Sequence, residues 1–306
     1  MSTMVSGNFA KLRTPGYRKV FFDRFKQFPD EYSHIFNVDN SVKYKEEDFP
    51  VAMFGGAPEK AEMSPIAYAS AVEGAAKTYT HKSYAYGFVI SEELQEDDLY
   101  NTVGGKRANK LTKGLARSMH NTVENTAWDV LNRAFNSSYK GFDGLSLCNT
   151  AHVLLGAGGT ASNKPSTDVD LSFAALQDAI ENFGNAVGDE GMPVLLTPKW
   201  LVITPSQEVV ANELLDSIGK PYTSDNTVNV LRQKKLQIFV RHYADDADSW
   251  FLLGDQGEHD LNFFWRKKPV FSGVDDEKTK AAFFSVFSRF SAGFGHWLGV
   301  YGSSGG

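Results

Sequence analysis

Between Lys77 and Phe135 the apolar residues change period once. In KTYTHKSYAYGFVI, Tyr84, Tyr86, Phe88 and Ile90 alternate at period two, the spacing of a half-buried strand. From Ala108 the spacing becomes three or four. Ala108, Leu111, Leu115, Met119, Val123, Ala127, Val130 and Ala134 then form one stripe of an amphipathic helix. Such a helix is roughly 40 Å long at about 1.5 Å per residue. A compact enzyme seldom needs that rod; an elongated subunit that tiles a surface does. Between the two segments stand Glu92, Glu93, Glu96, Asp97 and Asp98. Ser91 is placed to cap a short helix with Glu92 and Glu93 in its first turn, where the helix dipole favours them. Gly104-Gly105 then breaks the pattern, and the long helix starts near Lys106.

The flanking segments are patterned differently. Residues 1–42 read as an arm with one short, mildly amphipathic stretch, FFDRFKQF. Residues 43–83 are poor in bulky aliphatics, and Pro50, Pro58 and Pro65 exclude a continuous helix, which predicts an extended hairpin or long loop. Residues 136–170 are loop-rich. Ser172 is the expected cap of a helix through Phe173, Leu176, Ala179, Ile180 and Phe183, with Leu171 stapled to Leu176 and Gly184 at its end. PVLLTPKWLVITP predicts two short strands divided at Thr197-Pro198. Pro205-Ser206 opens a helix through Val209, Val210, Leu214, Leu215 and Ile218, closed by Gly219. LQIFVRHY and SWFLLGD read as an antiparallel pair about the turn 244–247. Near the C-terminus, Phe283, Ser285, Phe287, Arg289 and Ser291 share one face of a long strand. Phe284, Val286, Ser288 and Phe290 share the other, and Tyr84–Ile90 is a candidate neighbour. The tail from Gly302 to Gly306 has no apolar residue and is expected to be solvated. No internal repeat is visible.

Charge and chemistry narrow the picture by exclusion. The net charge of −6 argues against a chain that is basic throughout, yet is compatible with a local basic patch. Lys106, Lys110, Lys113 and Arg117 form a line on the long helix at spacings of 4, 3 and 4. The line is either a solvated face, a salt-bridge line to a neighbouring subunit, or a surface toward nucleic acid. Cys148 is the one cysteine, which excludes an intrachain disulfide and a zinc cluster. It reads as a small buried hydrophobe, with a catalytic thiol beside His152 as the sharper alternative. The N-terminus has no signal-peptide pattern and no apolar run is long enough for a membrane span. No nucleophile elbow or metalloprotease helix motif occurs, the acid run lacks the pattern of a calcium loop, and Gly156–Gly159 lacks the Lys-Ser/Thr pair of a phosphate loop. No catalytic residue, cofactor or metal is therefore expected.

Four segments, in this order, resemble one family. They are YGFVISEELQEDDLYNTVGGKRANKL, GFDGLSLCNTAHVLLGAGGTASN, GMPVLLTPKWLVITPSQEVVANELLDS and RHYADDADSWFLLGD. The chain resembles a bacteriophage major capsid protein of the Hong Kong 97-type fold, in the Mu-like major head subunit branch, over residues 77–265. The resemblance implies an α+β fold: an N-terminal arm (1–42), an extended loop (43–83), a peripheral domain with a spine helix (84–139 and 257–306) and an axial α/β domain (140–256). It implies a structural, non-enzymatic subunit of the virion capsid, assembled in the bacterial host cytoplasm. Its partners would be further copies of itself in hexamers and pentamers, double-stranded DNA held non-specifically, and scaffolding, portal and decoration proteins. An encapsulin-like shell around cargo enzymes is the alternative, and a soluble hydrolase a remote one. The intersubunit contacts expected on this view are Phe21, Phe54, Met63, Tyr79, Lys106, Lys110, Lys113 and Arg117.

Overall fold

The computed structural model describes residues 10–91, 106–221, 227–279 and 281–306. The acid run at 92–98 and Gly104-Gly105 lie outside the described residues.

Two four-stranded sheets organise the chain. The first has the order β1-β12-β13-β6, from Asn37–Asn40 (β1), Leu261–Asp276 (β12), Ala281–Phe294 (β13) and Lys82–Ser91 (β6). β1 runs parallel to β12, and the other pairs are antiparallel. The expected pairing of Tyr84–Ile90 with the C-terminal strand is present: Tyr84 lies opposite Ser288, and Ile90 opposite Ala282. β12 is roughly 50 Å long at about 3.3 Å per residue. Its ladder with β13 slips on both sides of Lys267, where Pro269 can donate no backbone hydrogen bond.

The long helix, α3 (Lys106–Asn132), crosses one face of this sheet. Leu115, Met119, Val123, Ala127 and Val130 are buried, as their spacing requires; Leu111, half-exposed, departs from the stripe. Ala116, Trp128 and Leu131 widen the buried face. The facing residues of β13 are the even-numbered ones, Phe284, Val286, Ser288 and Phe290, all buried. A first helix, α1 (Ala10–Phe25), lies against α3 and β12. It seats Phe21 beside Phe271 at a ring separation of 5.4 Å. A one-turn helix, α2 (Tyr32–Ile35), follows.

The second sheet has the order β10-β9-β11-β14, from Gln237–Val240, Trp200–Ile203, Trp250–Leu253 and Val300–Ser303 respectively. It is covered on both faces, which explains its unbroken apolar runs. Leu201, Ile203, Trp250 and Leu252 pack with α4 (Phe173–Gly184) and α5 (Glu208–Asp216). Val202, Phe251 and Leu253 pack with Trp128 and Leu131 near the end of α3, so the cores of the two sheets meet there. The Ser172 hydroxyl caps α4 by accepting from the Ala175 N–H at 3.2 Å.

Four expectations are corrected. β10 and β11 do not pair with each other, because β9 lies between them, parallel to β10 and antiparallel to β11. The α5 crossover from β9 to β10 dictates that parallel pairing. The buried Arg241 then leads the chain away, donating to Asn132 Oδ1 (3.0 Å) and Ser249 Oγ. Of PVLLTPKWLVITP only Trp200–Ile203 is a strand. α5 stops at Asp216, leaving Ile218 exposed. The tail is not solvated: the Ser303 side chain is buried, accepts from the Val169 N–H and donates to the Val169 carbonyl.

Candidate assembly surfaces

The segment 43–83 leaves the body as two small antiparallel ladders. Lys45–Asp48 (β2) pairs with Lys77–Thr80 (β5), and Val51–Ala52 (β3) with Val72–Glu73 (β4). The expected strand from Lys77 is therefore interrupted at His81. That ring is buried between the hydroxyls of Ser41 and Ser291, and its burial pushes the imidazole pKa down. Beyond the ladders, residues 53–71 carry Met53, Phe54, Met63, Ile66 and Tyr68, all exposed; Met63 is 96% and Tyr68 92% accessible. Met63 sits at the turn with φ of +62°, a backbone region that L-residues disfavour. Each such side chain left in water forgoes about 1.5–3 kcal/mol of burial.

A second apolar surface lies on the face of the first sheet away from α3. Val89, Phe283 and Val274 form one cross-strand row, and Ala85, Phe287 and Val270 another, with Gly87, Ser285 and Ser272 between them. Val89, Phe283, Val274 and Val270 are all exposed. The small middle row separates the two apolar rows.

The third surface is charged. Lys110, Lys113 and Arg117 are exposed on α3. They share a cleft of about 730 Å³ with Val20, Asp23, Arg24 and Gln27 from α1 and the residues after it. Lys106 opens α3. Of the eight expected intersubunit contacts, two are corrected. Phe21 is completely buried in its own chain, and Tyr79 is buried against Phe264 at 5.1 Å, so neither ring is offered to a neighbour.

No catalytic arrangement emerges around Cys148. Its thiol is buried, and burial pushes its pKa far up. The His152 ring is occupied elsewhere: Nδ1 meets Asp143 at 2.5 Å and Nε2 meets Asn163 Oδ1 at 2.9 Å. The Asn163 amide is oriented by its donation to the Leu147 and Val300 carbonyls at 2.7 and 3.1 Å. Both ring nitrogens of His152 therefore face acceptors, and neither is free to take a proton from a thiol. Burial raises the Asp143 carboxyl, but His152 and the Leu145 N–H outweigh it and hold the pKa below the ordinary value.

No spacing in the sequence marks a further cluster, Asp30, His120 and Glu124, whose ligand-type atoms lie within 4.8 Å of one another. The Glu124 oxygens already accept from the N–H groups of Glu31 (2.9 Å) and Tyr32 (3.1 Å) and from Trp128 Nε1 (3.0 Å). They serve as a clamp on the start of α2. Burial pushes the Glu124 pKa up to about 7, against the pull of His120 and these donors. Among the described residues, no helix is long and apolar enough to cross a membrane.

Two exposed apolar surfaces and a charged cleft stand out among the described residues. The sequence profile of phage capsid proteins matches residues 74–303. The chain belongs to the phage capsid protein family. No curated protein gives a significant sequence match. Solved structures with the same fold include the procapsid of bacteriophage JBD30 (15% identity, TM-score 0.54, covering 98% of this chain and 76% of that one). The capsid structure of Mycobacterium phage Adephagia is similar too (9% identity, TM-score 0.55, covering 91% of each chain). So is the virus-like particle from Pyrococcus furiosus (12% identity, TM-score 0.54, covering 95% and 98%). The fold is that of Hong Kong 97-type capsids, and this capsid protein is a structural component of the virion shell rather than an enzyme.

Proposed function

We propose that this capsid protein is the major head subunit, forming hexamers and pentamers of a closed icosahedral shell around double-stranded DNA. One observation carries the proposal: residues 53–71 hold five large apolar side chains in water, on a segment with no core of its own. Apolar side chains held in water this way are covered when another copy supplies the missing contacts. The apolar strip at Val89, Phe283 and Val274 is the surface we assign to receive them. On this reading residues 1–42 are the N-terminal arm and 43–83 the extended loop over a neighbour. Residues 84–139 with most of 257–306 make the peripheral domain, whose sheet β1 joins, and 140–256 make the axial domain, whose sheet takes β14 as its edge strand. The four segments quoted above support a place in the Mu-like branch.

Expression of the chain followed by size-exclusion chromatography and negative-stain microscopy tests this. Closed particles containing nucleic acid are expected. Substituting Met63→Asp with Tyr68→Asp should leave a folded chain that no longer forms particles. A wild-type chain that stays monomeric across salt and concentration refutes the proposal. Particles filled with an enzyme instead of nucleic acid would make it a nanocompartment shell.

A further inference from the structure

The charge of this chain is unevenly placed. Residues 10–25 and 106–117 hold ten Lys and Arg against one acid, Asp23, in a chain whose net charge is −6. These two segments are α1 and the first half of α3, which pack side by side. The structure places Arg24, Lys110, Lys113 and Arg117 around one cleft between them.

Nothing in the fold calls for this concentration. The first turn of a helix carries the positive end of its dipole, so cations at the start of α3, Lys106 and Arg107, are disfavoured by about 0.3–1 kcal/mol each. Lys110, Lys113 and Arg117 have no ion-pair partner among the described residues. Asp23 is the one acid among the residues lining the cleft, which leaves a surplus of positive charge for an anionic partner. The cleft offers one aliphatic side chain, Val20, and no aromatic one. A peptide helix would need apolar anchors in such a groove; a phosphate backbone needs charge alone. From Lys110 to Arg117 the helix rises about 10 Å, a length over which one strand of a duplex carries about three phosphates. The cleft also lies in the helix layer, on the other side of the sheet from the apolar strip, so the two surfaces face different partners.

We propose that the α1–α3 cleft binds the phosphate backbone of double-stranded nucleic acid, independently of base sequence, with Lys110, Lys113 and Arg117 as the principal contacts. This rests on reading the shell as a nucleic-acid container, and marks the helix layer as its inward side.

The test uses the full chain, held unassembled at low concentration, with a fluorescent random-sequence duplex titrated between about 50 and 200 mM salt. The triple variant Lys110→Gln, Lys113→Gln, Arg117→Gln should bind at least about tenfold more weakly. Its plot of log affinity against log salt should be shallower by about three, near 0.9 per lost phosphate contact. The variant Lys110→Arg, Lys113→Arg should keep the wild-type slope. An unchanged slope in a folded triple variant overturns the proposal. So does tighter binding of poly-L-glutamate than of duplex at equal charge, which would make the partner an acidic polypeptide. A large gain in duplex affinity on neutralising Glu92, Glu93, Glu96, Asp97 and Asp98 would give the cleft to that acid run instead. Particle formation, followed in parallel by sedimentation, separates this proposal from the one it rests on. Shells with a wild-type slope in the triple variant reject the cleft alone, whereas absence of shells in the wild type rejects the container.

Discussion

Asn163 shows what a single polar side chain can hold. Its amide donates to the carbonyls of Leu147 and Val300 and accepts from the Asn149 N–H and from His152, tying the 140s loop to the start of β14. Replacement by Ala leaves several buried groups unpaired, at about 1–3 kcal/mol for each lost partner. Asn163→Ala is expected to lose roughly 3 kcal/mol in urea unfolding, and Asn163→Asp to be no better, because its second oxygen would face two carbonyls. Glu124 makes the chain sensitive to pH. Its folded pKa, raised from 4.5 to about 7 by burial, means that the native state binds the extra proton in between. Stability from this group is thus full below pH 4.5 and falls as pH rises through 7, by on the order of 3 kcal/mol at most. Asp30, Glu31, His120 and Tyr243 face the same pocket, so Glu124→Gln compared with wild type across pH 4–8 isolates its share; parallel curves would refute it. Neither residue stood out in the sequence. Asn163 and Glu124 act through partners up to 137 and 93 positions away, and no local pattern encodes that distance.

Elements were legible where one periodicity governed them. The long helix and the two-faced strand β13 follow from spacing alone, since each meets a single flat partner surface. The cap of α4 follows from local chemistry, and Ser172→Ala should cost about 1 kcal/mol in the same unfolding measurement. The order of β9, β10 and β11 did not follow. A four-residue apolar run carries no signal for its neighbour, and chain adjacency points to a hairpin, whereas β11 pairs with the far edge of β9. The exposed surfaces fell between these cases. Phe54 and Met63, two of the expected intersubunit contacts, are exposed in the single chain. Phe21 and Tyr79, from the same set, are buried within the chain, because a lone ring reads alike in a core and at an interface.

At the scale of the molecule, the sheet's far face exposes Val89, Phe283, Val274 and Val270 among the described residues, and this is where assembly should be most sensitive. Phe283→Asp removes little packing within the chain, so thermal unfolding should be nearly unchanged while particle yield collapses. Equal loss of both would make Phe283 a core residue instead. The slipped ladder at Lys267–Pro269 bears on how one sequence could occupy many positions in a shell. Irregularities of this kind concentrate bending at one point of an otherwise stiff ribbon. About seven residues of β12 extend beyond Pro269, some 23 Å at about 3.3 Å each. Pivoting there by about 10° would carry the tip, with Val274 and Phe283, through about 4 Å. The proline is then a hinge pin and the strip a lever, letting copies in unequal surroundings keep the same contact. Superposing the independent copies of one assembled particle should place the divergence of β12 at residues 266–269; uniform curvature along the strand would remove the hinge.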